Sequence, residues 1–136
     1  MGHQTLVYGA IEVFHSRPSK PDADALNEAA LLALPEQDEW PFLVRSMFSM
    51  TSSVDVSVAY TFRVIHFGAS FKAIELEWEA WLVKFERLLA SLDGITAVVH
   101  LETELVGNHR YTWQRKMDTI DRWPPTWNFG GGTRSF

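Results

Sequence analysis

Three features of the chain predict an α+β domain built on an antiparallel sheet. A strongly amphipathic helical segment lies near residues 71–94, β-branched and aromatic runs are bounded by turn residues, and strand-like and helix-like segments alternate. The 136 residues suit one domain. Hydrophobic residues at 46% and charged residues at 21% give a globular mix able to bury a core without cross-links.

Thr5 to Phe14 alternates loosely, with Val7, Gly9, Ile11 and Val13 on one face and Leu6, Tyr8, Ala10, Glu12 and Phe14 on the other. This predicts a strand covered at least in part on both faces. The prolines and serines of SRPSKPD mark a loop. From Ala23 to Leu34 the spacing of Leu26, Ala29, Ala30 and Ala33 predicts a helix, with Asp22 or Asp24 as N-cap and Pro35 as stop. An acidic turn, PEQDEWP, follows. Phe42 to Met50 and Val56 to Phe67 read as strands separated by the loop TSSVD.

The second helix is the clearest element. Ile74, Trp78, Trp81, Leu82, Phe85, Leu88, Leu89 and Leu92 recur at steps of three and four and form one wide apolar stripe. Ser70 is a candidate cap, and Gly94 suits a left-handed position past the C-terminus. Ile95 to Val106 then alternates as a strand. Gly107-Asn108 fits a two-residue hairpin turn returning through His109 to Lys116. That turn pairs Leu105 with Arg110 and sets Glu104, Glu102 and His100 opposite Tyr111, Trp113 and Arg115.

The order strand, helix, strand, strand, helix, strand has one common solution. It is the ferredoxin-like βαββαβ arrangement, an antiparallel sheet with two helices on one face, here with an added C-terminal edge strand. Residues 1–117 form this domain. Residues 118–136, with two prolines and three consecutive glycines, are expected as an irregular tail packed on it or extending from it.

The sheet face away from the helices is expected to carry Glu12, Arg63, His100, Glu102, Glu104, Tyr111, Trp113 and Arg115. The modest interpretation is cross-strand pairing of carboxylates with the two arginines. The functional one is a polar surface framed by aromatic rings. A second candidate is the acidic loop, where Glu36, Asp38 and Glu39 flank Trp40. Its alternative is a solvated loop whose Trp tucks into the core.

Composition narrows the chemistry. Without cysteine, disulfides, iron–sulfur clusters and thiol catalysis are excluded. A net charge of −5 argues against nucleic acid and suits a basic partner. His3, His15, His66, His100 and His109 include no i, i+4 helical pair, and neither a metal nor another cofactor is expected. No nucleotide-binding or hydrolase signature occurs. With no signal-like segment and no long apolar run, a cytoplasmic protein without a membrane partner is expected. Six tryptophans and nine phenylalanines can fill the core, with some left over as interface anchors.

The segments WPFLVRSMFS, VIHFGASFK, EWEAWLVKFERLL and VHLETELVGN resemble small acidic bacterial domains, the immunity proteins of polymorphic toxin systems. The resemblance implies a non-catalytic toxin inhibitor that covers a cognate toxin domain's active site by direct binding. No contact residue is carried over from it. From the residues themselves, the partner-binding candidates are Glu12, Glu36, Asp38, Glu39, Trp40, His100, Glu102, Glu104, Tyr111 and Trp113. The competing expectation is a small-molecule enzyme or ligand-binding protein of the dimeric ferredoxin-like type. In it two sheet faces would enclose a pocket, and His66, His100, Glu12 or Arg63 would act on a ligand. A scaffolding homodimer is the third.

Overall fold

The computed structural model describes residues 3–51 and 62–136. It is an α+β structure with a six-stranded antiparallel sheet and two helices. The strands are β1 (Gln4–Phe14), β2 (Phe48–Met50), β3 (Phe62–Lys72), β4 (Gly94–Glu102), β5 (Asn108–Arg115) and β6 (Trp127–Gly131). The helices are α1 (Ala23–Leu32) and α2 (Trp78–Leu89). Strand order across the sheet is β2-β3-β1-β4-β5-β6. The expected TSSVD loop and the start of the expected third strand fall largely outside the described residues.

Strand parity decides what is buried. Val7, Ile11 and Val13 of β1 face the same way as Ile65, Phe67 and Phe71 of β3, and as Ala97, Val99 and Leu101 of β4. The stripe of α2 closes over them: Trp78, Trp81, Leu82, Phe85, Leu88 and Leu89 are all buried. Stacked rings run from Trp78 through Trp81 to Phe85, and Phe85 meets Phe67 of β3 and Trp113 of β5. The first helix covers the same face. Its Asn27 is buried, accepting from the Asp93 backbone N–H at 2.8 Å and donating to the Phe14 carbonyl at 3.2 Å. Gly9 shares this face with Val7 and Ile11, and a larger residue would not fit there: an added Cβ would sit 2.9 Å from the Phe67 ring and 1.9 Å from the Val98 carbonyl oxygen.

Several expected boundaries move. Phe42 to Met50 is not one strand. The Leu43 N–H donates to Asp38 and the Arg45 N–H to the Pro35 carbonyl, so those donors serve the loop, a 3-10 turn covers Arg45–Met47, and only Phe48–Met50 joins the sheet. Strand β3 runs on to Lys72, leaving Ser70 on a strand rather than capping a helix. Ala73, at φ 47°, turns the chain, and a 3-10 turn at Ile74–Glu77 leads into α2. Asp22 sits at the start of α1 without a side-chain cap; Ser16 Oγ instead accepts from the Asp24 N–H. Gly94 opens β4 instead of ending the helix in a left-handed turn, and a Cβ there would meet the Trp127 ring at 2.9 Å.

The tail contains a strand where irregular structure was expected. β6 pairs with β5, Trp113 opposite Phe129 and Arg115 opposite Trp127. Among the described residues no helix is long and apolar enough to cross a membrane.

Candidate functional site

The hairpin from β4 to β5 overturns part of the expected surface. Glu102 pairs with Asn108, so the connection is a five-residue loop over residues 103–107 rather than a two-residue turn. Thr103 closes it, its N–H and hydroxyl both donating to the Gly107 carbonyl, and Gly107 takes φ 81°. Compared with the expected register the parity of β5 is inverted, and every side chain changes face. Tyr111 pairs with Val99 and Trp113 with Ala97, both under the helices and buried. They are core residues, not partner-binding ones. Thr103 and Leu105, expected beneath the helices, lie in the loop.

Arg115 follows the same inversion and is buried beside Asp93. Arg63 is likewise not on the open face. It shares parity with Ile65, and its guanidinium reaches Glu28 at 3.1 Å, Asp24 at 3.4 Å and the Thr51 carbonyl at 2.9 Å. It ties α1 to β3. Hydrogen bonds from Ser16 and Arg63 outweigh the effect of burial on Asp24 and hold its carboxyl below the usual range.

The open face keeps Glu12, His100 and Glu102, and β1 adds a residue whose role sequence alone did not single out. Tyr8 lies between β3 and β4, opposite Gly68 on one side and His100 on the other. Its phenol donates a hydrogen bond to Glu102, and its ring stacks on His100 with centroids 4.9 Å apart. The bond to Glu102 raises the Tyr8 pKa, and desolvation and the carboxylate's charge act in the same direction. Glu12 accepts from Thr96 Oγ1 at 2.7 Å. Glu104 lies beyond the strand and meets His3 at 3.2 Å. Leu6 is exposed beside this cluster. The alternation around Tyr8 was visible in the sequence; its partners were not, because they depend on two long-range registers.

The acidic loop lies on the helix side. Lys84 of α2 donates to Asp38 at 2.8 Å and to the Glu39 carbonyl at 2.9 Å. Asp38 also accepts from the Leu43 N–H, and these bonds overcome its burial and lower its pKa. Asp38 therefore shapes the loop. Glu36 reaches Arg45 at 3.4 Å. Trp40 packs edge-on against Phe42 and Phe71 yet stays 45% exposed. Leu76, just before α2, is 73% exposed, and Val83 is exposed on the helix. Glu39 is exposed next to Trp40 in the chain, and Glu77 and Glu79 are exposed where the 3-10 turn passes into α2.

The ten expected contact residues thus divide into an open-face group, a helix-side loop group, and two core residues. Among the described residues no group of three or more His, Asp or Glu side chains is placed to hold a metal ion. Comparison with protein families, with curated proteins and with solved structures finds no match for this chain.

Proposed function

We propose that this chain is a non-catalytic inhibitor, a bacterial immunity protein that neutralises a cognate toxin domain in the cytoplasm by direct binding. We further propose that its fold is the ferredoxin-like arrangement with two strands added beyond β4. The order β2-β3-β1-β4, with α1 and α2 in the crossovers and on one face, supports that reading.

The carrying observation is the half-exposed Trp40 ring, braced by Phe42 and Phe71 and next in sequence to the exposed Glu39. A rigid aromatic ring with a charged rim is what an interface anchor needs, because little entropy is lost when it docks. The net charge of −5 favours a basic partner and fast, salt-sensitive association.

The test is capture of the C-terminal domain of a large secreted protein encoded immediately upstream. Trp40→Ala should weaken binding about 30-fold or more, the range of a central anchor. Glu39→Lys and raised salt should mainly slow association. Binding indifferent to both substitutions and to salt defeats the proposal, as does a metabolic operon in place of the toxin.

A second reading draws on the Tyr8–His100 stack and exposed Leu6. Two copies could pair through these faces around a small ligand. A dimer in solution, converted to monomer by Leu6→Lys, would favour it; a monomer at high concentration would not.

A further inference from the structure

We infer that a basic cleft between the turn after β1, the end of β5 and the segment after it binds the phosphate group of a small phosphate ester. The cleft has a volume of about 320 Å³ and is lined by Arg17, Ser19, Lys20, Arg115, Ile120, Asp121, Arg122 and Trp123. Four cations converge there in a chain whose overall charge is −5.

The local sequence explains how they meet. Arg17 and Lys20 bond to each other through both backbone groups, at 3.1 and 2.9 Å, so Pro18 and Ser19 form a tight turn with the two cationic residues at its base. Arg115 arrives from β5 and Arg122 from the following turn, which the Arg122 N–H closes onto the Thr119 carbonyl.

The centre of the site is built rather than incidental. Arg115 is only 1% exposed. Its terminal nitrogens donate to the Gly94 carbonyl at 2.7 Å, the Ile120 carbonyl at 3.0 Å and Asp93 at 3.4 Å. Its buried Nε has no hydrogen-bond partner among the described residues. Held by the bonds of its terminal nitrogens, Arg115 fixes a positive charge at the inner wall of the cleft, while Lys20 and Arg122 supply the donors that an oxyanion in the cleft can reach.

Asp93 does not satisfy the cleft. It is shared, since Arg17 binds it at 2.6 Å on the other side. Asp121 is the one carboxylate in the lining, and Asp22 touches Lys20 at 3.6 Å with its own side chain largely in water. The cations outnumber the carboxylates even with all three counted. Burial and the neighbouring charge of Arg17 push the Arg115 pKa down against the pull of Asp93 and Asp121, and an anion in the cleft would add to that pull.

The volume exceeds that of one phosphate group, leaving space for an organic part. The exposed Trp123 indole, already under Lys20 Nζ at 4.7 Å, offers that part a flat apolar wall. Phosphate is favoured over a carboxylate because its three terminal oxygens can take donors from several cations at once. This site is independent of the Trp40 surface.

The test is a titration of the full chain, followed through the Arg115 Nε–H and Trp123 indole N–H resonances. Inorganic phosphate, ribose 5-phosphate and a phosphoserine peptide are the ligands, with sodium chloride at matched ionic strength as control. Saturable shifts with at least one phosphate and none with chloride are expected. Tighter binding of the sugar phosphate or of the peptide identifies the source. Lys20→Gln with Arg122→Gln, both away from the core, should raise the dissociation constant about tenfold or more, whereas Arg115→Gln is avoided because it endangers folding. No saturable shift with any of the three ligands, or equal affinity in the double variant, overturns the inference.

Discussion

Tyr8 shows how one hydroxyl connects a strand register to a measurable titration. Its phenol donates to Glu102 two strands' width from Gly68, and that bond raises its pKa. The stability this bond gives is complete below the ordinary phenol range and is lost as pH rises through the elevated value. Replacing Glu102 with Gln removes the carboxylate's charge and weakens the acceptor. The Tyr8 ultraviolet titration should then move down toward 10, the ordinary value. An unchanged curve would show that Glu102 does not govern it. Gly9 and Gly68 give a second contrast at this scale. A methyl at Gly9 meets backbone oxygen at 1.9 Å, whereas at Gly68 its nearest neighbour is Tyr8 Cβ at 3.5 Å. Gly9→Ala should cost more than about 3 kcal/mol, and Gly68→Ala less than about 1 kcal/mol, in urea unfolding.

Among the elements, α2 was the most legible in sequence and β5 the least. A helix declares itself by apolar residues every three or four positions, and eight such residues from Ile74 to Leu92 are all buried. A strand's alternation gives two faces without saying which is inside. In β5 one set is Asn108, Arg110, Thr112 and Gln114, all polar, and the other holds Tyr111 and Trp113 with His109 and Arg115, so the pattern itself favours burying the aromatic set, but the expected face followed from the turn. Reading Gly107-Asn108 as a two-residue loop put Tyr111 and Trp113 outside; the five-residue loop puts them inside. The β6 strand was hidden for a different reason: Gly130 and Gly131 have no side chains to alternate, and pairing with an edge makes up for their weak propensity. Of the candidate site, the acidic loop was legible because Trp40 and its carboxylates are neighbours in sequence. The cleft was not, since Arg17, Arg115 and Arg122 meet only through folding. The β5–β6 pairing suggests its own test. Trp127→Ala removes the ring that fills the space above Gly94 and should lower the melting temperature by more than about 5 °C.

At the scale of the whole molecule, three ion pairs stitch the layers at their margins. Arg63 joins Asp24 of α1 to β3, Lys84 joins Asp38 of the acidic loop to α2, and Arg134 beyond β6 joins Glu86 of α2 at 2.6 Å. Burial works against the ionised Glu86, but bonds from Arg134 and the Trp113 indole prevail, and its pKa is lowered like those of Asp24 and Asp38. A lowered carboxyl contributes its stability above the unfolded-state pKa, near 4, and loses it as pH falls through the folded value. All three groups keep partial solvent contact, so each is worth about 1 kcal/mol or less. Unfolding free energy should therefore decline below about pH 4, and Arg134→Gln should flatten that decline. An equally steep decline in the variant would remove Glu86 from the account.

The position of β1 carries a kinetic consequence. It is the third strand across the sheet, yet its two partners come much later in the chain: Gln4 pairs with Lys72, and Leu6 with Glu102. Loops of this size must close before β1 gains either neighbour, so high contact order sets a slow rate, in the range of milliseconds to seconds. During synthesis β1 leaves the ribosome with both hydrogen-bonding edges vacant, and its protection rests on whatever holds the nascent chain until β3 and β4 arrive.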